Sequence, residues 1–350
     1  MIIDSGIVTS VYEIDPLQDE RWGRFLEEHR LATIFHAPEW LAALRRSYGH
    51  RASAVTTCSP REPLTNALVF CRVRSWATGS RLVSVPFSDH CRPLVEDEEQ
   101  FQHLVSGLKQ ACDRGVEKHV EIRSADGGTG GMADSASFCL HRLDLRPSLG
   151  ELFHAFHESC IRRKIRRAQR AGLTYEEGVS EELLEKFYQL TVLARRRHQV
   201  PPQPFFWFQN LIACLGSKAK IRLASCQGQP AAGIFTICYK TTMTYKYGGS
   251  DARFHHDGPV QLLLWKAIQE AKEDGILWFD MGRTDWDNPG LLTFKDHWGG
   301  TRSTLTYLRY PRCAAPSLSH VPTRMAKVFF DSAPTKLLTA AGNLLYRHID

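Results

Sequence analysis

Long apolar runs are missing from this 350-residue chain. Stretches such as Leu262–Leu263–Leu264–Trp265 fall far short of the roughly eighteen residues that a membrane-spanning helix needs. No transmembrane segment is expected. The opening Met1–Gly6 carries Asp4 and no basic residue, and no apolar stretch follows it, so no secretory signal is expected either. The expected location is the cytoplasm. Paired cysteine spacing is missing too: ten cysteines are scattered along the chain without a C-x-x-C pair, which argues against zinc-ribbon and thioredoxin-type motifs. Adjacent residues in His255–His256 and Asp89–His90–Cys91 point to opposite sides of an extended segment, so no metal is expected. Neither Gly-x-Ser-x-Gly nor a nucleophilic cysteine context occurs, which disfavours a covalent acyl-enzyme.

What is present is ordinary globular material, 43% apolar and 23% charged, with a length that suggests two or three packing units. The net charge of +6 is modest but unevenly distributed. Six basic residues and no acid lie between Arg162 and Arg170, and Arg195–Arg196–Arg197–His198 follows. A solvated helix face normally mixes signs, so these runs point to an acidic ligand: phosphate, nucleic acid or anionic lipid.

Periodicity predicts a mixed α/β series. Helices are expected at 20–29, 39–48 and 98–114, and strands at 67–73, 81–85, 116–123 and 137–143, with a glycine-rich turn at Gly127–Gly131. A second series of similar order begins after Pro147. It comprises helices at 149–171, 181–197 and 205–215, strands at 221–226, 231–240 and 243–248, a helix at 259–274, and strands at 276–281 and 303–310. The similarity implies an internal duplication. The expected domains are 1–143 and 144–312. In the tail, Pro322 and Pro334 each introduce an amphipathic stretch; Met325, Val328 and Phe329 share one side of the first, and Leu337, Leu338, Ala341, Leu344 and Leu345 one side of the second. This tail, 313–350, is expected to pack back on the first domain, with peripheral membrane contact as the competing reading.

In the basic segment Ile161, Ile165, Ala168 and Ala171 recur at helical spacing, leaving Arg162, Arg163, Lys164, Arg166, Arg167 and Arg170 on a continuous outer face. Such a face is either simply solvated or holds phosphates as bidentate forks. Tyr245 and Tyr247 flank Lys246 on a strand and are expected to share a face, in the core or in a cleft. Asp257–Gly258–Pro259 reads as a helix start with free backbone N–H groups able to hold a phosphate. Asp280 and Asp285 are candidate proton acceptors, although Asp280 could instead hold the Gly282 turn through local hydrogen bonds.

Taken in order, several segments resemble the FemABX aminoacyltransferases and their GNAT-like relatives. They are Arg163–Lys164–Ile165–Arg166–Arg167–Ala168 with Ala171–Gly172–Leu173, then Arg195–Arg196–Arg197–His198 with Pro201–Pro202, then Tyr245–Lys246–Tyr247–Gly248–Gly249–Ser250–Asp251, Gly258–Pro259, Phe279–Asp280–Met281–Gly282 and Gly290–Gly299. Phe35–His36–Ala37–Pro38–Glu39–Trp40 and Pro86–Phe87–Ser88–Asp89 extend the resemblance to the first half. It implies an α/β fold of mixed sheets in which two GNAT-like acyltransferase domains stand in tandem, with a C-terminal helical tail and without the long helical arm of some members. It also implies an enzyme that forms an amide bond by direct transfer, with no tightly bound cofactor. By resemblance, Lys295 would stabilise the tetrahedral oxyanion, Phe294 would line the acyl end, Tyr245 and Tyr247 would face the acceptor, and Arg163, Arg166, Arg167 and Arg197, with Gly258, would hold its phosphates.

Three functions follow as expectations. The first is transfer of an amino acid from aminoacyl-tRNA to a peptidoglycan or other cell-envelope precursor, a nucleotide- or lipid-linked sugar or peptide, at the inner face of the membrane. The second is acyl-CoA-dependent N-acylation of an amino sugar or amine in polysaccharide or lipid biosynthesis. The third is a non-catalytic nucleic-acid-binding or scaffold protein, which would bind RNA with steep salt dependence and transfer nothing.

Overall fold

In the computed structural model the described residues are 10–75, 79–124, 131–312 and 334–348. Most of the glycine-rich turn at Gly127–Gly131, and the stretch with Met325, Val328 and Phe329, lie outside them. The chain divides into two units, which among the described residues comprise 10–137 with 305–312, and 138–304 with 334–348.

In the N-terminal unit the strands β1 (Tyr12–Ile14), β2 (Ala52–Thr56), β3 (Leu68–Ser75) and β4 (Gly79–Val83) form an antiparallel meander. Helix α3 (Glu98–Asp113) then crosses over to β5 (Val120–Ser124), which pairs parallel with β4. Two helices precede this crossover, α1 (Arg21–Glu28) and α2 (Pro38–Tyr48). Local chemistry fixes these ends: Pro38 pre-sets the first turn of α2, Gly49 at φ 73° closes it, and the Asp97 carboxylate accepts the Gln100 N–H at the start of α3. Phe101, Leu104, Val105 and Leu108 of α3 pack on Leu68, Phe70, Leu82, Val120 and Ile122 of the sheet. Full burial of each such side chain contributes roughly 1.5–3 kcal/mol.

The C-terminal unit repeats the plan. Strands β7 (Thr174–Gly178), β8 (Ala219–Cys226), β9 (Gln229–Tyr239) and β10 (Thr242–Ser250) form the meander, and α8 (Pro259–Glu273) crosses to β11 (Trp278–Asp285), parallel to β10. Around them lie α4 (Leu149–Ala155), α5 (Arg163–Arg170), α6 (Glu181–Arg197), α7 (Phe205–Leu215) and α9 (Pro289–Asp296). One face of this sheet packs on Ile161, Ile165, Leu263, Leu264 and Ile268. Aromatic rings cluster elsewhere in the unit, where Phe187, Phe208, Phe235 and Tyr247 meet at centroid distances of 5.1–6.3 Å.

Each unit closes with a strand from the other half of the sequence. Strand β12 (Thr301–Tyr310) pairs antiparallel with β5 through Thr306–Tyr310, and β6 (Ala133–Asp144) pairs antiparallel with β11. The expected boundaries at 143 and 312 therefore miss this exchange: residues 138–143 go with the C-terminal unit and 305–312 with the N-terminal one.

Other departures have local causes. The helix expected at 149–171 breaks at Phe156–His157, where the backbone becomes extended (ψ 144° and 126°) and the His157 N–H bonds to His297 O at 2.8 Å; a π-helical turn at Glu158–Arg162 then leads into α5. The short strands β1, β2 and β7 were too weakly patterned to be read, and α9 was hidden by its mixed composition. The last helix, α10 (Thr335–Leu345), lies with the C-terminal unit rather than the first. Tyr346 Oη donates to Pro201 O at 3.0 Å, and a side chain at Gly342 would collide with Pro202 O. Among the described residues no helix is long and apolar enough to cross a membrane.

Candidate active site

Strands β10 and β11 pair over only three residues each, Thr242–Thr244 with Trp278–Asp280, although both run on beyond them. A bulge interrupts each strand at that point. In β10 it lies between Tyr245 and Tyr247 against β9, and in β11 between Asp280 and Arg283 against β6. Bulges bend the strand that carries them, so the ladder ends and a cleft of about 330 Å³ opens beside the second half of β10.

Thr191, Ala194, Arg195, Arg197 and His198 from the end of α6 form one wall of the cleft, and Tyr245–Ser250 of β10 form another. Gly233 of β9, Val260 of α8 and Leu291 of α9 complete it. The close approach of α6 to β10 requires Gly249: a Cβ there would sit 2.5–2.6 Å from the backbone of Leu190 and Thr191. The Arg197 guanidinium donates to Ser250 O at 3.3 Å, and Ser250 Oγ contacts His255 Nε2 at 2.9 Å. Burial first, and then the Arg197 and Arg195 charges, hold His198 below the usual histidine range.

The bulge corrects the expectation that Tyr245 and Tyr247 share a face. They oppose the adjacent residues Thr236 and Phe235, so they point to opposite sides of the sheet. Tyr245 packs against the cluster around α5 and α8, its ring lies over Gly248, and burial pushes its hydroxyl up to about 12. Tyr247 joins the aromatic cluster, where Trp207 Nε1 donates to its hydroxyl at 3.0 Å.

Lys295 is no surface lysine. On α9 it is 3% exposed, and its ammonium donates to Gly282 O at 2.7 Å and Arg283 O at 3.2 Å, the carbonyls of the β11 bulge. Asp280 is 2% exposed and braces the same bulge, accepting the Gly282 N–H at 2.7 Å with Arg142 Nε at 3.7 Å. It is thus the turn-holding reading of Asp280 that the geometry matches. Phe294 is half-buried against Trp298, at a centroid distance of 6.4 Å. The neighbouring Asp296 is fastened to Arg302 and to the buried His141, 3.2 Å away; the Arg302 contact holds its carboxyl below the usual range. None of Lys295, Asp280 and Phe294 is among the residues lining the cleft.

The basic helix is divided in its contacts. Arg166 lies over the Phe153 ring at 5.4 Å and 3.4 Å from Glu158, a residue about two turns upstream that also pairs with Arg162. Arg163 is exposed. Arg167 and Lys164 instead reach the segment before α8: Arg167 Nη1 contacts His256 Nε2 at 2.9 Å, and Lys164 Nζ donates to His255 O at 3.2 Å. Gly258 caps α8 at φ 73° without a side-chain hydrogen bond, and a Cβ there would lie 2.7 Å from Lys164 O. Its glycine is needed for the approach of α5 as much as for an open helix start. The structure thus brings together Arg197, Tyr245 and Tyr247 at the cleft, Lys295 and Asp280 at the β11 bulge, and Arg167 and Gly258 at the start of α8. Reading the sequence missed Thr191, Arg195, His198 and Ser250 as lining residues and Lys246 as the bulge. The first three lie in the same α6 segment as Arg197, and helical spacing from Arg197 could have found Thr191 and Ala194.

Comparison with known proteins agrees with this architecture. Residues 157–295 match the acetyltransferase (GNAT) domain family. Among solved structures, the crystal structure of FemX superposes with a TM-score of 0.67 at 14% identity, over 86% of this chain and 97% of that one. The tandem GNAT protein from the clavulanic acid biosynthesis pathway gives 0.56 at 11% identity, over 86% and 97%. L-PGS from Bacillus licheniformis gives 0.54 at 18% identity, over 93% and 98%. No curated protein matches the chain by sequence.

Proposed function

We propose that the chain is an acyltransferase of the FemABX/GNAT-like superfamily and that its cleft transfers an amino acid from aminoacyl-tRNA to the amine of a phosphate-bearing cell-envelope precursor. The observation that carries this reading is the charge of the cleft. Arg195, Arg197, His198 and Lys246 line it, and no carboxylate does so among the described residues. At such a wall a phosphate gains charge-assisted hydrogen bonds and meets no like-charge repulsion. The α8 start adds backbone N–H groups without a competing side-chain acceptor and without an acid in its first turn. The FemX and L-PGS likenesses support an aminoacyl group in particular, as the lysylphosphatidylglycerol synthetase domain from Agrobacterium fabrum does by name, at a TM-score of 0.53.

Chemically, attack of an amine on an ester carbonyl needs the two reactants held together, removal of a proton and a cation for the developing oxyanion. In this reading Lys295 and Asp280 act as positioning residues that keep the β11 bulge in shape, and the cation for the oxyanion comes from the side chains that line the cleft, Arg195, Arg197 and Lys246. Arg163, Arg166 and Arg167 extend the positive surface along α5 toward the polyanionic donor, and Phe294 backs the acyl end. The acceptor amine attacks the ester carbonyl directly, the C–O bond to the tRNA breaks, the tRNA leaves with its hydroxyl restored by the proton the amine loses, and no covalent enzyme intermediate forms.

A second reading exchanges the donor for acyl-CoA and the acceptor for an amino sugar or amine. The match of residues 157–295 to the acetyltransferase (GNAT) domain family favours it. The two separate by experiment. Charged tRNA with a nucleotide-linked muropeptide is expected to release free tRNA with the purified protein, and the muropeptide to raise its melting temperature by RT ln(1 + [L]/Kd). Turnover and a thermal shift with acyl-CoA alone, together with silence toward every charged tRNA, would establish the second reading instead.

A further inference from the structure

We propose that His157, Cys160 and His297 form a binding site for one thiophilic divalent cation of the zinc class. The three donor atoms lie within 4.8 Å of one another. Tetrahedral zinc, with bonds near 2.3 Å to sulfur and 2.0–2.1 Å to nitrogen, sets its donors about 3.3–3.7 Å apart. Closing the site takes side-chain movement of roughly 1 Å and no rearrangement of the backbone.

The backbone is already fixed on both sides. The His157 N–H donates to His297 O at 2.8 Å, and the two imidazole rings lie 4.2 Å apart at 43°. Each histidine is the chain neighbour of a fully buried aromatic anchor, Phe156 and Trp298, whose rings pack edge to face at 4.9 Å. The anchors pin the two segments together and leave the histidines at the rim of the core. Cys160 joins them because the π-helical turn begins at His157, where Nδ1 accepts the Cys160 N–H at a long 3.3 Å. Coordination through Nδ1 replaces that contact. His157 is exposed and Cys160 and His297 are half-buried, so a fourth position faces solvent.

The donor set selects the ion. Two imidazoles and a thiol suit zinc and cobalt(II) and disfavour magnesium and calcium, which demand oxygen ligands. Occupancy would clamp the end of α9, two residues beyond Lys295, to the turn before α5. The surrounding sequence hid this site because His297 is remote in the chain from the other two ligands.

The test is spectroscopic and independent of turnover. The chelator-washed full-length chain is titrated with Co2+ in the absence of thiol reductant, then with Zn2+. A thiolate-to-cobalt charge-transfer band and tetrahedral visible bands are expected, saturating at one cobalt per chain and lost on zinc addition. Cys160→Ser should abolish the charge-transfer band, and His297→Asn should weaken cobalt binding at least tenfold, each with an unchanged metal-free melting temperature. Failure of the wild-type chain to develop the band overturns the proposal, and so does a band that survives Cys160→Ser, since it arises from another of the cysteines. If Cys160→Ser does not fold, unaltered cobalt affinity in His297→Asn still overturns it.

Discussion

In the N-terminal unit, β4 runs through Ser84 into a loop that turns back along β5. The Arg123 N–H bonds to Ser84 Oγ at 2.8 Å, the Cys91 N–H bonds to Arg123 O at 2.8 Å, and the Arg123 guanidinium reaches Val85 O and Ser88 O. In the C-terminal unit the equivalent pair, β10 and β11, parts without such a loop and leaves a cleft. The helices differ in the same sense. Helix α3 begins with the Asp97 cap followed by Glu98 and Glu99, whereas α8 begins with Gly258 and Pro259 beside Lys164 and Arg167. An acidic, self-capped start repels a phosphate, and an uncapped one beside cations attracts it. From one βαβ plan, the first copy is filled by its own chain and the second is left open.

The filled copy carries backbone strain. Val85 at φ 111° and Phe87 at φ 60° lie in the left-handed region, which a β-branched or aromatic residue occupies at a cost of about 1–3 kcal/mol. The buried Arg123, its guanidinium also 5.1 Å from the Tyr307 ring centre, offsets that cost through the loop carbonyls. Pro86–Asp89, which resembles a family loop in sequence, is here the segment that occupies the wedge.

The sharpest way to break the contrast is Lys295→Ala. It is expected to lower the single-turnover rate by about 10²-fold, the range of a site displaced by about 1 Å, with the melting temperature measured alongside to separate chemistry from loss of the two carbonyl contacts. An unchanged rate would move the chemistry away from the β11 bulge. Next in size is an acid effect seated at His36 in the filled unit. Burial holds His36 at about 4, with the nearby His90 and His29 as lesser causes. The unfolded chain therefore binds a proton between pH 6.5 and 4 that the folded chain refuses. Stability is full above pH 6.5 and falls toward pH 4, by at most about 3 kcal/mol from this one group. Denaturant midpoints at pH 7.5 and 5 should show the loss, and His36→Gln should reduce it. Replacing both Arg195 and Arg197 by alanine is expected to raise KM for the phosphate-bearing substrate about tenfold and to flatten its salt dependence. The smallest effect is Asp97→Ala, about 1 kcal/mol of stability with activity unchanged.

The fold class was legible because β–α–β order, helix caps and turn glycines are local signals: α2, α3, α6 and α8 lie where period and caps put them. The reaction class came from resemblance across many short segments, and the GNAT match over 157–295 coincides with most of them. What escaped depends on partners remote in sequence. A one-residue bulge turned Tyr245 and Tyr247 apart, because a strand's alternation is kept only while its register is. A lysine is by type a surface residue, and Lys295 is buried only because β11 supplies carbonyls to its ammonium. The acid-free stretch from Arg162 to Arg170 promised an unbroken cationic face, but Glu158 from the preceding π turn neutralises part of it.

The exchange of β6 and β12 has a consequence for how the polypeptide can be cut or rearranged. A fragment ending at residue 143 retains β6 but has no strand to cover β5, and one spanning 144–312 keeps β12 while β11 loses its antiparallel neighbour. Each fragment would expose an open sheet edge ready to recruit strands from other molecules. Neither half is therefore an autonomous gene segment.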